Sequence, residues 1–259
     1  MDNILSIITV TKNDLNGFIA TIKSTRILRE KFNINQIVVD SSKTGISDEV
    51  RKLSSSEKNI KYYWQEPKGI SPAFNFGIVV SNTEWLWFLN GGDCVNMDLD
   101  CELFTKFLAS SSADAIIFET KDMKSGRILE KKPPMWGLWP PLLSWIPHPS
   151  TVVKKKLFEN YGNFNADYDI AMDYEVWLRF FSKNVNVDLA SFAIASFNRE
   201  GISYQMNRKT RTEVAKIIRK YFWTIIKKEF FSLRIVLKSL IINLPFVNYK
   251  KDMNKDLSK

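Results

Sequence analysis

The first ninety residues alternate between short, almost continuously apolar runs and longer segments in which apolar residues recur every three or four positions. The first pattern is typical of parallel strands that are covered on both faces, and the second of helices that bury one face. The alternation predicts an α/β fold. The four predicted strands cover residues 4–10, 34–39, 60–64 and 84–90.

Helices are predicted between these strands, and the first of them is capped by Asn13 or Asp14. After the fourth strand, the pattern predicts a strand over 115–119, a hairpin around 124–126 and a short strand over 151–153. Prolines and tryptophans interrupt the stretch 133–149 too often for regular structure. The other predicted helices cover residues 46–56, 73–80, 99–108 and 173–181.

The segment after residue 206 differs from the body of the chain in its charge. The net charge is +9, and the fourteen Lys and Arg with four Asp and Glu from Arg208 onward contribute +10 of it. From Val214, apolar residues occupy one side of a predicted helix and basic residues the other. We therefore divide the chain into a body over 1–206 and a basic helical tail over 207–259. Two roles stay open for the tail, namely contact with an anionic membrane surface and packing on the body or on a second subunit of a homo-oligomer.

The composition and the N-terminal sequence predict where in the cell the protein lies. With 45% hydrophobic and 25% charged residues, the chain is not of the disordered class. Its N-terminus lacks the pattern of a secretory signal, and two cysteines are too few for a disulfide framework. Arg234 and Lys238 interrupt the most apolar part of the tail, which disfavours a spanning helix. We expect a cytoplasmic protein that lies peripherally on the inner face of the cell membrane.

Two aspartates stand where strands are predicted to end. Asp40 follows the second strand, and Asp93 follows the fourth after Asn90 and two glycines. In an open parallel sheet, ligands bind outside the carboxyl ends of the strands. This edge of the sheet is therefore the predicted ligand site.

Five phrases in the chain resemble one enzyme family. They are ITVTKN at 8–13, IVVD at 37–40, EPKGIS at 66–71, FLNGGD at 88–93 and DYEVWLR at 173–179. Together they are similar to family 2 glycosyltransferases, which build bacterial surface polysaccharides such as lipopolysaccharide or capsule. The resemblance covers residues 4–200. It implies the GT-A fold, a Rossmann-like, mixed and mostly parallel sheet flanked by helices, to which this chain adds a C-terminal helical extension.

The resemblance implies an inverting enzyme that moves a sugar from a nucleotide-diphosphate donor to a hydroxyl of a lipid-linked glycan acceptor. Asp173 matches the general base, and Asp93 matches the last carboxylate of the motif that binds the cofactor, Mn²⁺ or Mg²⁺. His148, the only histidine, stands where relatives contact the metal or the donor. The donor-binding residues that it implies are Thr9, Thr11, Asp40, Lys68, Asn75, Asn90, Gly91, Asp93 and Arg179.

Structural interpretations stand beside these roles. Asp40 can form a turn with the serines after it, and Asp173 can stabilise a helix N-terminus through the helix dipole. Arg179 can be a surface arginine, and His148 can be a structural or a surface residue.

Acceptor contacts are predicted from three further residues. The rings of Trp136 and Trp139, in the irregular stretch before the histidine, can stack on a sugar or cover the core. Glu175 lies two residues after the predicted base, on the same helix.

The chain departs from the family pattern at three positions. Asn90 and Gly92 stand where many members carry further aspartates, and Pro72 stands where the related pattern has an aspartate near the donor. These departures keep a second class open, a non-catalytic module that binds nucleotide sugars or membranes. A nucleic-acid binder would rest on the basic tail alone, without a recognition motif, and we expect no nucleic-acid partner.

Overall fold

The computed structural model describes residues 3–129, 146–183, 185–197 and 208–223. They form one mixed sheet whose strand order is β3-β2-β1-β4-β8-β6-β9-β5, with β7 paired to β6. The strands are β1 (Leu5–Thr11), β2 (Asn35–Asp40), β3 (Ile60–Trp64), β4 (Trp85–Asn90), β5 (Cys94–Val95), β6 (Ala115–Asp122), β7 (Ile128–Leu129), β8 (Thr151–Lys154) and β9 (Val187–Phe197).

Helices connect most of these strands. None of those in the described residues is both long and apolar enough to cross a bilayer. They are α1 (Leu15–Ser24), α2 (Arg26–Lys31), α3 (Ile46–Ser56), α4 (Ile70–Val80), α5 (Cys101–Ser110), α6 (Lys156–Tyr161), α7 (Met172–Phe181) and α8, which covers 208–223.

The N-terminal half of the sheet is parallel, as predicted. β3, β2, β1 and β4 pair in parallel, and so do β6 and β9. The other four pairings are antiparallel, so the mixed sheet is confirmed. The hairpin around 124–126 is also confirmed by the pairing of β6 with β7.

Some element boundaries differ from the prediction. Helix α4 begins at Ile70, three residues before the predicted start. Pro72 is tolerated in its first turn, because the N–H groups there have no hydrogen-bond partner within the helix. Asp14 is the cap of α1, since its Oδ1 accepts a hydrogen bond from Gly17 N at 2.8 Å. The sequence analysis missed β9, whose buried residues do not form a continuous apolar run.

Side chains of β1 and β4 alternate between two apolar clusters on opposite faces of the sheet. Phe88 packs in the cluster under α4, α6 and α7, whereas Trp87 packs in the cluster under α2 and α5. Helix α4 lies close to β1 at Gly77, where a Cβ would be 2.4 Å from Ile8 Cγ2. The position therefore requires glycine to keep this distance between helix and sheet.

Replacement of this glycine by alanine tests the close packing. Gly77→Ala forces α4 away from Ile8, and overpacking of this kind costs about 1–3 kcal/mol. The better helix propensity of alanine offsets up to about 1 kcal/mol of that cost. We expect a net loss of about 1–2 kcal/mol in the free energy of unfolding, measured by urea denaturation. Val79→Ala, at a position that is 68% exposed on the same helix, is the control and changes stability by less than about 0.5 kcal/mol. Equal stability of the two variants would contradict the expectation.

Candidate active site

Three neighbouring parallel strands end at the same edge of the sheet. Thr11 of β1 is paired with Asp40 of β2, and Val10 is paired with Asn90 of β4. Gly91 N extends this edge by donating to the carbonyl of Val10 at 2.9 Å. A Cβ on Gly91 would lie 3.1 Å from Thr11 Oγ1, which is closer than an ordinary van der Waals contact, so the turn lies tightly against β1. The structure thus brings together the strand-end residues that the sequence analysis singled out.

The turn after β4 holds Asp93 in place. Its Oδ2 accepts hydrogen bonds from the backbone N (3.0 Å) and the side-chain Nδ2 (3.1 Å) of Asn90. The buried hydroxyl of Thr21 accepts from Gly92 N at 2.9 Å and donates to the Asp93 carbonyl at 2.7 Å. Burial raises the pKa of Asp93 from 3.8 to about 6, although the hydrogen bonds from Asn90 oppose this shift. The carboxylate is therefore partly dehydrated at the edge of the site.

This turn explains one departure from the family pattern. At position 90, an amide that donates to Asp93 replaces a further carboxylate that would repel it. The sequence analysis missed Thr21, and the available signal was a polar residue between Phe18 and Ile22 on the buried face of α1.

Asp93 is also the residue of this edge that fits a divalent cation. Among the residues described, no group of three or more His, Cys, Asp and Glu side chains is arranged to hold a metal. One carboxylate is enough for Mg²⁺ or Mn²⁺ when diphosphate and water supply the other oxygens. The dehydrated carboxylate of Asp93 matches this chemistry, because a cation would stabilise its charged form.

Asp40 is fully buried, and its carboxylate contacts other parts of the protein. Oδ1 accepts from Ser42 N at 2.8 Å, and Oδ2 accepts from the Tyr62 hydroxyl at 3.0 Å. The contact with Ser42 is the turn that the structural interpretation of Asp40 predicted, and donor binding by Asp40 stays a prediction. Tyr62 is a second residue that the sequence analysis missed.

Asp173 lies in the first turn of α7 and is partly buried. Its Oδ1 accepts a hydrogen bond from Tyr174 N at 2.7 Å. Burial raises its pKa from 3.8 to about 6, against the opposing effect of backbone hydrogen bonds. A carboxylate with this pKa is ionised at neutral pH and is more basic than an ordinary aspartate, which suits a general base.

The ring of His148 lies between aromatic rings of β4 and α7 in the core. It lies in a short 3-10 turn over His148–Ser150 and is only 6% exposed. Its ring centroid is 5.8 Å from that of Phe88 and 5.8 Å from that of Trp177. Trp177 is one helical turn after Asp173, and Phe88 is two residues before Asn90. This series of rings places Asp173 on the face of the sheet that carries the Phe88 cluster.

The surroundings of His148 are apolar. Burial lowers the pKa of its imidazole from 6.5 to about 4, so the ring is neutral at physiological pH. Neither ring nitrogen has a hydrogen-bond partner among the residues that the structure describes. A metal or donor contact by His148 stays a prediction.

Two residues predicted to bind the donor contact the loop before α7, and their donor contacts stay predictions. The side chain of Asn75 bonds both the N (2.9 Å) and the O (2.9 Å) of Phe164. The guanidinium of Arg179 donates to the carbonyls of Tyr161, Gly162 and Asn163 and to Glu175 Oε2 at 3.0 Å. Both side chains therefore order the segment 162–171, which has no helix or strand of its own.

Thr9 and Glu175 are likewise engaged in buried contacts. Thr9 Oγ1 accepts from the Gln36 amide at 2.9 Å inside the sheet. Glu175 is 1% exposed in its side chain, accepts a hydrogen bond from the Tyr221 hydroxyl of α8, and lies 3.5 Å from Lys220 Nζ. Neither residue is placed at the strand edge.

Lys68 is exposed directly before α4. Trp136 and Trp139 lie outside the described residues.

Helix α8 packs on the body. Ile217 is fully buried in the cluster that contains α7, and Thr210 and Glu213 are buried on the same side. Its basic residues and the aromatic side chains of Phe222 (42% exposed) and Trp223 (70% exposed) face outward. One face of this helix therefore packs on the body, and the opposite, basic face is compatible with contact to an anionic membrane surface.

Comparison with solved structures shows the fold. The structure of Staphylococcus aureus TarS in complex with UDP-GlcNAc has a TM-score of 0.71 at 15% identity, covering 92% of this chain and 71% of that one. The mannosyltransferase PcManGT from Pyrobaculum calidifontis, in complex with GDP-Man and Mn²⁺, has a TM-score of 0.61 at 16% identity, covering 92% and 74%. The mixed sheet and its flanking helices are thus the GT-A fold, as the resemblance implied.

Sequence comparison gives the family. Two curated relatives are uncharacterized glycosyltransferases from two strains of Mycobacterium tuberculosis. Each is 28% identical over 179 residues, which is 68% of this chain and 68% of the relative. The family model described as glycosyl transferase family 2 matches residues 6–173, from β1 to the predicted base in α7. Because this match covers well over half of the chain, the protein belongs to glycosyl transferase family 2.

Proposed function

We propose that the protein transfers a sugar from a nucleotide-diphosphate donor to a hydroxyl of a glycan acceptor, with inversion at the anomeric carbon. The observation that carries this proposal is that burial raises the pKa of two aspartates inside the region matched by the family model, Asp93 at the strand edge and Asp173 in the first turn of α7. Structural neighbours in complex with UDP-GlcNAc and GDP-Man support a nucleotide-sugar donor.

Asp173 is the proposed general base. Its raised pKa lets it accept a proton from the acceptor hydroxyl at neutral pH more readily than an ordinary aspartate. The oxygen then attacks the anomeric carbon on the face opposite to the departing diphosphate. One displacement of this kind inverts the configuration and needs no covalent intermediate.

The donor would lie along the edge formed by Thr11, Asn90 and Gly91, with Asp40 shaping the loop beside it and Lys68 at the start of α4. Asp93 would hold Mn²⁺ or Mg²⁺, and the complex of PcManGT contains Mn²⁺. Such an ion supplies positive charge to the diphosphate that leaves. Asn90 fixes the orientation of the Asp93 carboxylate for this contact.

A membrane location is supported by the outward face of α8. Arg208, Arg211, Lys216 and Arg219 are exposed there, beside Trp223. Basic residues with flanking aromatic rings bind an anionic lipid surface, with about 1 kcal/mol per charge close to the surface. A lipid-linked acceptor in surface polysaccharide synthesis would lie at the same membrane face.

Replacement of the base tests the function. The protein is incubated with a panel of nucleotide sugars, Mn²⁺ and a lipid-linked acceptor, and release of nucleoside diphosphate is measured. Asp173→Asn abolishes transfer because the amide cannot accept the proton, while donor affinity by calorimetry stays within about twofold. Asp167→Asn, an exposed aspartate in the preceding loop, retains wild-type transfer.

Three outcomes decide between the function classes. Donor binding without transfer for any sugar would support the non-catalytic module instead. Transfer that survives Asp173→Asn would assign the base to another residue. Transfer that is unaffected both by a chelator and by Asp93→Asn would remove the metal from the proposal.

The raised pKa of Asp173 predicts a pH dependence of two properties. Transfer requires the ionised carboxylate, so the rate falls about tenfold per pH unit as the pH drops below about 6. The pKa of Asp173 is higher in the folded than in the unfolded protein, so folding favours the protonated carboxyl. Its contribution to the free energy of unfolding is fully present below about pH 4 and is lost as the pH rises through about 6.

Asp173→Asn removes this loss of stability. We expect the variant to be more stable than the wild type at pH 7 by on the order of 1–2 kcal/mol, and equally stable at pH 4. Urea denaturation at the two pH values measures the difference. A variant that is less stable at pH 7 would show that ionised Asp173 is not penalised by its surroundings.

Charge reversal on α8 tests the membrane surface. Lys216→Glu with Arg219→Glu lowers sedimentation with phosphatidylcholine vesicles that contain phosphatidylglycerol at least about tenfold. Lys52→Glu with Lys58→Glu makes the same change in net charge on exposed residues of the body and leaves binding near the wild-type value. Equal binding by both double variants would contradict a specific membrane face on α8.

A further inference from the structure

Glu213 of α8 is buried against the start of the helix that carries the proposed base. The residue is 7% exposed, and it lies beyond the residues 6–173 that match the family model. Its carboxylate accepts hydrogen bonds from the backbone N of Asp169 (3.2 Å), Ile170 (3.0 Å) and Ala171 (2.9 Å). One side chain of the tail thus holds three consecutive amides of the loop that leads into α7.

Helix α7 has no cap of its own. Its N-cap residue is Ala171, whose methyl group accepts no hydrogen bond. The first amides of a helix have no partner within the helix, and a negative charge near them is favourable because of the helix dipole. Glu213 accepts from the amide of this N-cap residue and from the two amides before it, and it places a negative charge at this helix end from a distant part of the chain. Asp173 lies two residues after this cap.

Further contacts fix α8 along α7. Lys209 pairs with Asp169 on the loop side of Glu213, and Ile217 is fully buried one turn after it. At the far end, the Tyr221 hydroxyl donates to Glu175 of α7. The carboxylate of Glu213 is therefore held in place by the docking of the whole helix and is not a mobile surface group.

We infer that Glu213 is a positioning residue for sugar transfer: it fixes the loop 169–171 and thereby the placement of Asp173 relative to the acceptor hydroxyl. The inference rests on the proposed function, in which Asp173 is the base. It gives α8 an indirect role in catalysis, although this helix lies outside the region matched by the family model.

A positioning role predicts a split between the kinetic constants. The donor lies at the edge of β2, β1 and β4, which Glu213 does not contact. Proton abstraction depends on the position of Asp173, and a displacement of about 1 Å can lower a rate by on the order of 100-fold. Loss of Glu213 therefore lowers kcat and leaves the donor KM nearly unchanged.

The experiment compares Glu213→Ala and Glu213→Gln in the full chain. We expect kcat to fall at least about tenfold for alanine and less for glutamine, which keeps one oxygen acceptor at the same reach, with donor KM within about twofold for both. Hydrogen exchange at the amides of 169–171 becomes faster in the same order. Donor-binding stoichiometry by calorimetry stays at the wild-type value, which separates misplacement of the base from loss of folded protein.

Two control variants are matched to this change. Thr212→Ala alters the neighbouring, exposed position of α8, and Glu102→Ala removes an exposed carboxylate from α5. Both retain wild-type kcat and exchange rates. If Glu213→Ala does not fold, Glu213→Gln decides the question alone.

The outcomes separate this inference from the proposed function. Wild-type kcat in the Glu213 variants, together with an inactive Asp173→Asn, overturns the positioning role and leaves the function standing. A fall in stoichiometry that accounts for the whole fall in kcat overturns it as well, because the residue would then only support folding. Transfer that survives Asp173→Asn overturns the function first.

Discussion

Parallel pairing of β2, β1 and β4 in one register is the constraint on which the site depends. It brings Thr11, Asp40 and Asn90 to a common edge, where the next residues leave the sheet together. Gly91 then allows the turn after β4 to lie against Thr11, and Thr21 fixes this turn from α1. A shift of register by one residue would turn these side chains to the opposite face and disperse the edge.

The two carboxylates proposed for chemistry are both held at a cost to stability. Burial raises the pKa of Asp93 and of Asp173 to about 6, so each is destabilising in its ionised form at neutral pH. Their surroundings differ. Amide groups of Asn90 contact Asp93, whereas Asp173 lies at a helix end whose preceding loop is held by Glu213. Asp93 is suited to binding a cation and Asp173 to accepting a proton, and the proposed sugar transfer uses both interactions.

The sequence by itself determined the α/β class, the parallel half of the sheet and the positions of most helices there, because these depend on local apolar patterns. The bounds predicted for α3, 46–56, are those observed. It also determined the family and located Asp40 and Asp93 at strand ends, since a strand end is visible as a change from apolar residues to turn formers. The strand β9 and the helices α2 and α6 escaped prediction because their apolar residues are too few or too irregularly spaced.

Only the tertiary structure decided which polar residues are available to a ligand. Asn75 and Arg179 look like donor contacts in the sequence, yet both are engaged by the loop 162–171. Glu213 looks like one acidic residue in a basic tail, yet it binds the amide of Ala171, the N-cap residue of α7, across 42 residues of chain. Hydrogen bonds between residues so far apart depend on the packing of elements in space, and no local pattern of residues encodes that packing.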